Sequence, residues 1–277
     1  MYNADQEINT IIIIPARYAS KRLPGKPLKL IDGVSMISRT ASVAKSVSSK
    51  DSSCDYVVAT DDIRILEHCQ VEKINCITTS TNHISGTDRV LEACQKYENI
   101  SNVNYSYIIN LQGDAPFTPE KYLIKLINGL KKGADVVTPS VQLTWDQLDT
   151  LRCNKAITRF SGTTIIKDSN NNALWFSKNI IPAIRNENEL RNNSSNSPVH
   201  QHIGLYGYSK LALNKFIQLT PSKYEILEGL EQLRFLENKI NVQCIPVDSN
   251  NLHMSGIDTA DDIKIAERLL RTQRKNK

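Results

Sequence analysis

The sequence predicts an α/β fold, in which a mainly parallel sheet is covered by helices on both faces in a Rossmann-like layout, with a hairpin inserted in the second half. Short β-branched runs alternate with helical patterns through the first half, and a Pro/Gly-rich loop follows the first run directly. Two strand-like runs in the second half flank the turn-forming stretch Asp-Ser-Asn-Asn-Asn.

Thr10–Ile14 reads as a buried strand, and the loop after it runs to about Leu28. Met36–Val47 is a helix, Asp55–Ala59 a second strand, Ile63–Cys69 a helix and Asn75–Thr78 a short strand. Ser85-Gly-Thr-Asp88 starts a helix like a capping box, because Val90, Leu91, Cys94 and Tyr97 follow at helical spacing. Tyr107–Leu111 is the next strand. Thr118-Pro-Glu opens a helix through Ile127, and Lys131, Lys132 and Gly133 stop it. Thr163–Lys167 and Ala173–Ser177 form the hairpin, and 186–198, rich in Asn and Ser, reads as a mobile loop. Ile203–Tyr208 reads as a strand, and Lys223–Leu236 as one helix with Ile226, Leu230, Leu233 and Leu236 inward. A final helix capped by Thr259-Ala-Asp-Asp262 turns Ile263, Ala266, Leu269 and Leu270 to the core.

Composition narrows the function. The chain has 277 residues, 40 % of them hydrophobic and 23 % charged, which is ordinary for a soluble globular protein. The longest aliphatic run, Ile11–Ile14, cannot span a bilayer, and residues 1–9 lack a basic leader pattern, so a cytoplasmic location and no membrane partner are expected. Six scattered cysteines and five histidines show no CxxC, HxxxH or HExxH spacing, which disfavours a cysteine or histidine metal site. A net charge of +5 suits a polyanionic ligand. At 6 % aromatic, without an RNP-like or zinc-finger pattern, the chain offers nucleic acid only charge, so no such partner is expected.

Four stretches can carry chemistry. The loop after the first strand places Arg17, Lys21, Arg22 and Lys26 within ten residues, with Gly25 open to close approach by phosphate. It is not a Walker A loop, since GxxxxGK[ST] is absent; a basic surface loop is the plainer alternative. Asp114 ends a strand after Gly113 and Asp258 precedes the last helix. Together they could hold Mg²⁺, and singly each suits a turn or cap. His202, Gly204, Tyr206 and Tyr208 fall on one face at strand spacing, suiting either a sugar site or a half-buried sheet edge. Glu228, Glu231 and Gln232 lie opposite the core leucines, where a wet helix face is expected.

Taken together, PARYASKRLPGKPL (15–28), VVATDD (57–62), SGTDR (85–89), NLQGD (110–114), ALWFSK (173–178), HIGLYGY (202–208), LEGLEQLRFLEN (227–238) and GIDTADD (256–262) resemble the CMP-KDO synthetases, formally 3-deoxy-manno-octulosonate cytidylyltransferases. The resemblance implies a single cytidylyltransferase domain of the nucleotide-diphospho-sugar transferase type, joining CTP to KDO with release of pyrophosphate for lipopolysaccharide or related glycan synthesis. Its nucleotide-binding part would span about 8–140 and 240–277, and its sugar-binding and dimerisation part about 141–239. Mg²⁺ is the implied cofactor and a homodimer the implied assembly. Arg17, Ser20, Arg22 and Lys26 match positions around the triphosphate, and Ser85, Gly86, Thr87 and Arg89 positions on the cytosine side. Asp114 and Asp258 match metal-binding aspartates. Gln112, Lys178, His202, Tyr206, Glu231 and Gln232 match sugar-facing positions. Arg17, Lys26, Asp114 and Asp258 make up the expected catalytic set.

The chain departs from the family pattern in four places. Ala115 stands where Gln-Gly-Asp-Glu-Pro has glutamate, and Lys178 ends a Phe-Ser-Arg motif. RCNKAITRFSGTT at 152–164 lacks the Pro-Asn-x-Val-Lys segment, and 186–197 is long. A related acid such as an amino-KDO or a nonulosonic acid, or a CTP-binding role without catalysis, therefore stays open beside KDO.

Overall fold

A computed structural model describes residues 9–19, 23–83, 85–248 and 256–275, with side chains described to residue 272. The chain forms two compact units, the first comprising 1–127 with 251–277 and the second 128–250. The second unit thus begins before the expected 141 and runs past the expected 239.

In the first unit, β1 (Asn9–Ala16) is followed by a short 3₁₀ turn at Lys26–Leu28 and a two-stranded ribbon of β2 (Leu30–Ile31) and β3 (Val34–Ser35). Then come α1 (Met36–Ser48), β4 (Cys54–Thr60), α2 (Ile63–Val71), β5 (Cys76–Thr78), α3 (Gly86–Ser101) and β6 (Tyr105–Asn110). The strands lie parallel in the order β5-β4-β1-β6. β1 is central because Ile11–Ile14 are all fully buried, as a parallel strand covered on both faces requires. Helices start where side chains cap them: Ser35 accepts from the Ser38 N–H, and Ser85 and Asp88 close the capping box expected from sequence.

The chain passes into the second unit within α4 (Glu120–Lys131) and continues through β7 (Val136–Thr144) and α5 (Trp145–Ile157). The expected hairpin forms from β8 (Thr164–Lys167) and β9 (Ala173–Ser177). Next come α6 (Glu187–Asn193), β10 (Asn196–His202), β11 (Tyr206–Ser209), α7 (Lys210–Ile217), α8 (Lys223–Glu228), α9 (Leu233–Glu237) and β12 (Val242–Pro246). Here β7 pairs antiparallel with β10 and β11 and parallel with β12. α10 (Ala260–Lys275) returns to the first unit, with Ile263, Ala266 and Leu270 packed around Ile31, Met36 and Ile257.

Several expectations are corrected here. The stretch 186–198 holds α6 and the start of β10, pinned by a bidentate Arg152–Glu187 pair at 2.8 Å and by Arg191 bonding both Glu187 and Asp149. The single helix 223–236 is two, because Gly229 adopts φ 63° and ends α8. Ile226 accordingly lies exposed, while Leu230 and Leu233 are buried. The strand 203–208 is interrupted: β10 ends at His202 and β11 begins at Tyr206. Leu269 points outward. Nothing in the sequence reading anticipated β7, α5, α7 or β12.

Candidate active site

The site is built at the carboxyl ends of β1 and β6, where open parallel sheets collect ligands. A cleft of about 310 Å³ opens there, lined by Arg17, Ala19, Lys26, Gly86, Gln112 and Asp114 among others. Its loop is shaped by Tyr18. Arg64 lies over the Tyr18 ring, 3.3 Å from the centroid, and is itself held bidentately by Asp62. Against the same ring sits Gly25 at φ 65°, where a Cβ would come within 3.0 Å of Tyr18. The Gly25 N–H donates to the Tyr18 carbonyl at 3.1 Å, so it closes the loop rather than facing a phosphate. Ser20, Lys21 and Arg22 lie outside the described residues.

Lys26 is the hub of the cleft. Its ammonium donates to Asp114 Oδ2 at 2.6 Å and to Asp258 Oδ1 at 2.9 Å. The lysine side chain is 10 % exposed, whereas the two carboxylates are 41 % and 43 % exposed and open to a ligand. Gly113 lets β6 reach this point, because a Cβ there would sit 2.7 Å from the Pro15 carbonyl oxygen. The Ile257 N–H bonds the Asp114 carbonyl at 2.9 Å and brings the distant segment alongside. Asp262 accepts the Asp258 and Thr259 N–H groups, fixing the turn into α10. Ala115 is buried, and its carbonyl accepts the Thr118 hydroxyl at 3.0 Å.

Arg17 fastens one wall to another, donating through Nη2 to the carbonyls of His83 at 2.8 Å and Ser85 at 3.2 Å. Gly86 faces the cleft, while Ser85 caps α3 and Thr87 is buried. Arg89 has no exposed surface and bonds Asp61 Oδ2 at 2.5 Å and the Thr79 hydroxyl, so it is a buried structural cation and not part of the cleft wall. Gln112 lines the cleft and donates to Asn110 at 3.3 Å.

The second unit gathers the remaining expected residues. The His202 ring accepts from or donates to the Thr138 hydroxyl at 2.9 Å, and lies 5.2 Å from the Phe176 ring and 5.3 Å from that of Tyr206. Tyr206 in turn stacks on Tyr208. Burial, and secondarily the Lys178 charge, push His202 down to about 3, so the imidazole is neutral at pH 7. Burial raises the Tyr206 hydroxyl well above its usual value, with Tyr208 and Glu231 adding to the effect. Burial lowers Lys178, opposed by Glu228. Glu231 is half-buried and Gln232 buried, so this segment is no wet helix face.

Sequence reasoning missed Glu228 as a structural acceptor. It bonds the Ser177 hydroxyl at 2.8 Å and the Lys178 N–H at 2.7 Å. Its helical spacing marked it as solvated, yet as the last residue of α8, just before Gly229, it is half-buried. Thr163 and Lys155, which also brace Lys178, gave no pattern at all. As for a metal, no group of three or more His, Cys, Asp or Glu residues converges among the described residues. Mg²⁺ commonly takes one or two carboxylates and completes its shell with water and phosphate oxygens. Asp114 and Asp258, converging on one cation, fit that donor set.

The chain is similar to known cytidylyltransferases. A family model described as cytidylyltransferase matches residues 11–243. A 3-deoxy-manno-octulosonate cytidylyltransferase of Thermodesulfovibrio yellowstonii is 37 % identical over 265 residues, 95 % of this chain and 98 % of that protein. Its counterpart from Maricaulis maris is 34 % identical over 257 residues, 92 % and 94 % of the two chains. A structure of CMP:2-keto-3-deoxy-manno-octonic acid synthetase complexed with CTP superposes with a TM-score of 0.80 at 30 % identity, covering 96 % of this chain and 99 % of that one. The 4-diphosphocytidyl-2C-methyl-D-erythritol synthase of Anaerococcus prevotii, at 16 % identity and TM-score 0.58, covering 95 % and 99 % of the chains, shares the fold.

Proposed function

The chain belongs to the 3-deoxy-manno-octulosonate cytidylyltransferase family, and from that membership we propose that it couples CTP to KDO, giving CMP-KDO and pyrophosphate. The observation that supports this best is Lys26 held between Asp114 and Asp258 in the cleft at the ends of β1 and β6. A buried, doubly paired ammonium beside two half-open carboxylates suits a polyphosphate and its counter-cation together.

In this reading the anomeric 2-hydroxyl oxygen of KDO forms a bond to the α-phosphorus of CTP. The bond from that phosphorus to the bridging oxygen breaks, pyrophosphate carries away the electron pair, and the hydroxyl proton leaves to solvent. Lys26 and Arg17 offset charge on the phosphates, and the rigid turn at Gly113 holds Asp114 in place. Asp114 and Asp258 would hold Mg²⁺, which when bound neutralises phosphate charge and acidifies the attacking hydroxyl. Lys178 is the cation for the sugar carboxylate, although it lacks the planar fork that arginine would offer. Neutral His202 and the Tyr206 hydroxyl suit sugar hydroxyls. A homodimer belongs to the same proposal, to be read by light scattering on the purified protein.

The test is pyrophosphate release from CTP and Mg²⁺ with KDO, against no-sugar, UTP and EDTA controls. Release that requires CTP, KDO and metal together supports the proposal. Absence of release with KDO, alongside heat-stabilisation by CTP, moves the search to other sugar acids.

A further inference from the structure

Lys155, near the end of α5, spends its ammonium entirely on backbone. It donates to the carbonyl oxygens of Ser161, of Gly162 at 3.1 Å and of Lys178 at 2.6 Å. An ammonium has three protons, so no donor is left for a ligand. These carbonyls flank the hairpin ladder, since β8 starts at Thr164 and β9 ends at Ser177. Without Lys155 they would lose the partner that satisfies them, at a cost the half-buried loop would relieve by shifting.

The turn held by Lys155 is the support for two of the expected sugar-facing residues. Thr163, next to Gly162, receives the Lys178 ammonium on its hydroxyl at 3.1 Å. The carbonyl of the same Thr163 accepts the His202 N–H at 2.9 Å. Glu228 grips Lys178 from the other side, through its backbone N–H at 2.7 Å. The Lys178 backbone is thus clamped at its N–H by one side chain and at its carbonyl by another. Burial and then the Lys178 charge lower the Lys155 pKa, with Glu228 opposing, as expected for two cations packed around one carboxylate.

We propose that Lys155 is a positioning residue for the acidic-sugar site: it fixes the 161–163 turn and the Lys178 carbonyl, and through them the Lys178 ammonium and the His202 ring. The inference rests on the reading that Lys178 and His202 meet the sugar acid. Lys155 itself touches no substrate.

The experiment compares Lys155→Met and Thr163→Val with the wild-type full chain. Thr163→Val removes only the hydroxyl that receives Lys178, so it tests the same relay with the three-carbonyl clamp intact. Both variants should raise KM for KDO about tenfold while KM for CTP stays within about twofold, since misplacement affects only the sugar acid. Equal rises in both KM values, or no rise in either, overturn the inference. A second readout needs no turnover: NMR titration of the His202 ring. Burial and the Lys178 charge hold the wild-type ring's pKa down at about 3. In Lys155→Met its titration should move up toward that of an ordinary histidine, as the loosened turn admits water. An unmoved His202 titration overturns the inference whatever the kinetics show. A moved titration in an enzyme whose wild type is silent with KDO defeats the KDO reading and leaves the positioning role standing.

Discussion

The backbone N–H of Ile257 donates to the Asp114 carbonyl oxygen at 2.9 Å, and this one bond aligns the segment before α10 with the end of β6. Asp258 then falls beside Asp114, and Lys26 can reach both. The bond is made by backbone, so a side-chain change at Asp258 leaves the alignment in place. Packing of Ile257, Ala266 and Leu270 with Ile31 and Met36 supports it independently.

Asp258→Asn should therefore lower kcat with little loss of fold. The Asp258 side chain is 43 % exposed, so its pair with Lys26 is screened, and unfolding stability should change by no more than about 1 kcal/mol. Turnover should fall about a hundredfold if the second carboxylate helps to hold the divalent cation that offsets charge at the phosphates. Pyrophosphate-release kinetics and urea melts on the same preparation check both halves. Wild-type turnover would remove Asp258 from the site.

Gly113→Ala should act on both stability and activity. Its Cβ would lie 2.7 Å from the Pro15 carbonyl oxygen, which belongs to β1 and cannot swing aside as a side chain can. Overpacking against backbone costs about 1–3 kcal/mol, and relief by moving Asp114 would also disturb the Lys26 contact. Loss of stability without loss of CTP binding would mean that the strand, not the site, gives way.

His202 makes stability depend on pH. Burial and the Lys178 charge hold its folded pKa at about 3, against 6.5 for an ordinary histidine. Between these values the unfolded chain binds a proton that the folded chain excludes. The contribution is therefore complete above pH 6.5 and is lost as pH falls toward 3. His202→Gln should flatten the stability–pH curve over that window by up to about 1.4 kcal/mol per pH unit. Parallel curves for wild type and variant would show that the ring is hydrated.

What the sequence revealed about this molecule follows the range of the forces involved. The run Ile11–Ile14 announced a buried parallel strand, and Ser85 with Asp88 announced a helix start, because both signals are local. Lys26 was legible as a phosphate-loop cation, but its placement between carboxylates 88 and 232 residues away in the chain was not. Glu228 looked solvated because its helix was read straight through Gly229. Arg89 was expected on the cytosine side of the pocket, and nothing local to it tells that it is buried against Asp61 and Thr79.

Arg89 leads to the sharpest stability prediction. Its guanidinium is fully buried and bonds Asp61 at 2.5 Å, while the Asp61 side chain is only 17 % exposed. Arg89→Met would leave that carboxylate without its cation, and breaking a buried pair from one side costs about 3–5 kcal/mol. Most of that cost comes from the stranded charge rather than from the pair's own attraction. Adding Asp61→Asn to Arg89→Met should therefore restore part of the loss, so that the double variant is more stable than Arg89→Met alone. Urea unfolding of the four proteins in this cycle measures the coupling directly. A double variant no more stable than Arg89→Met would mean that Arg89 matters chiefly through Thr79 and its own packing, and that Asp61 finds water when the arginine is gone.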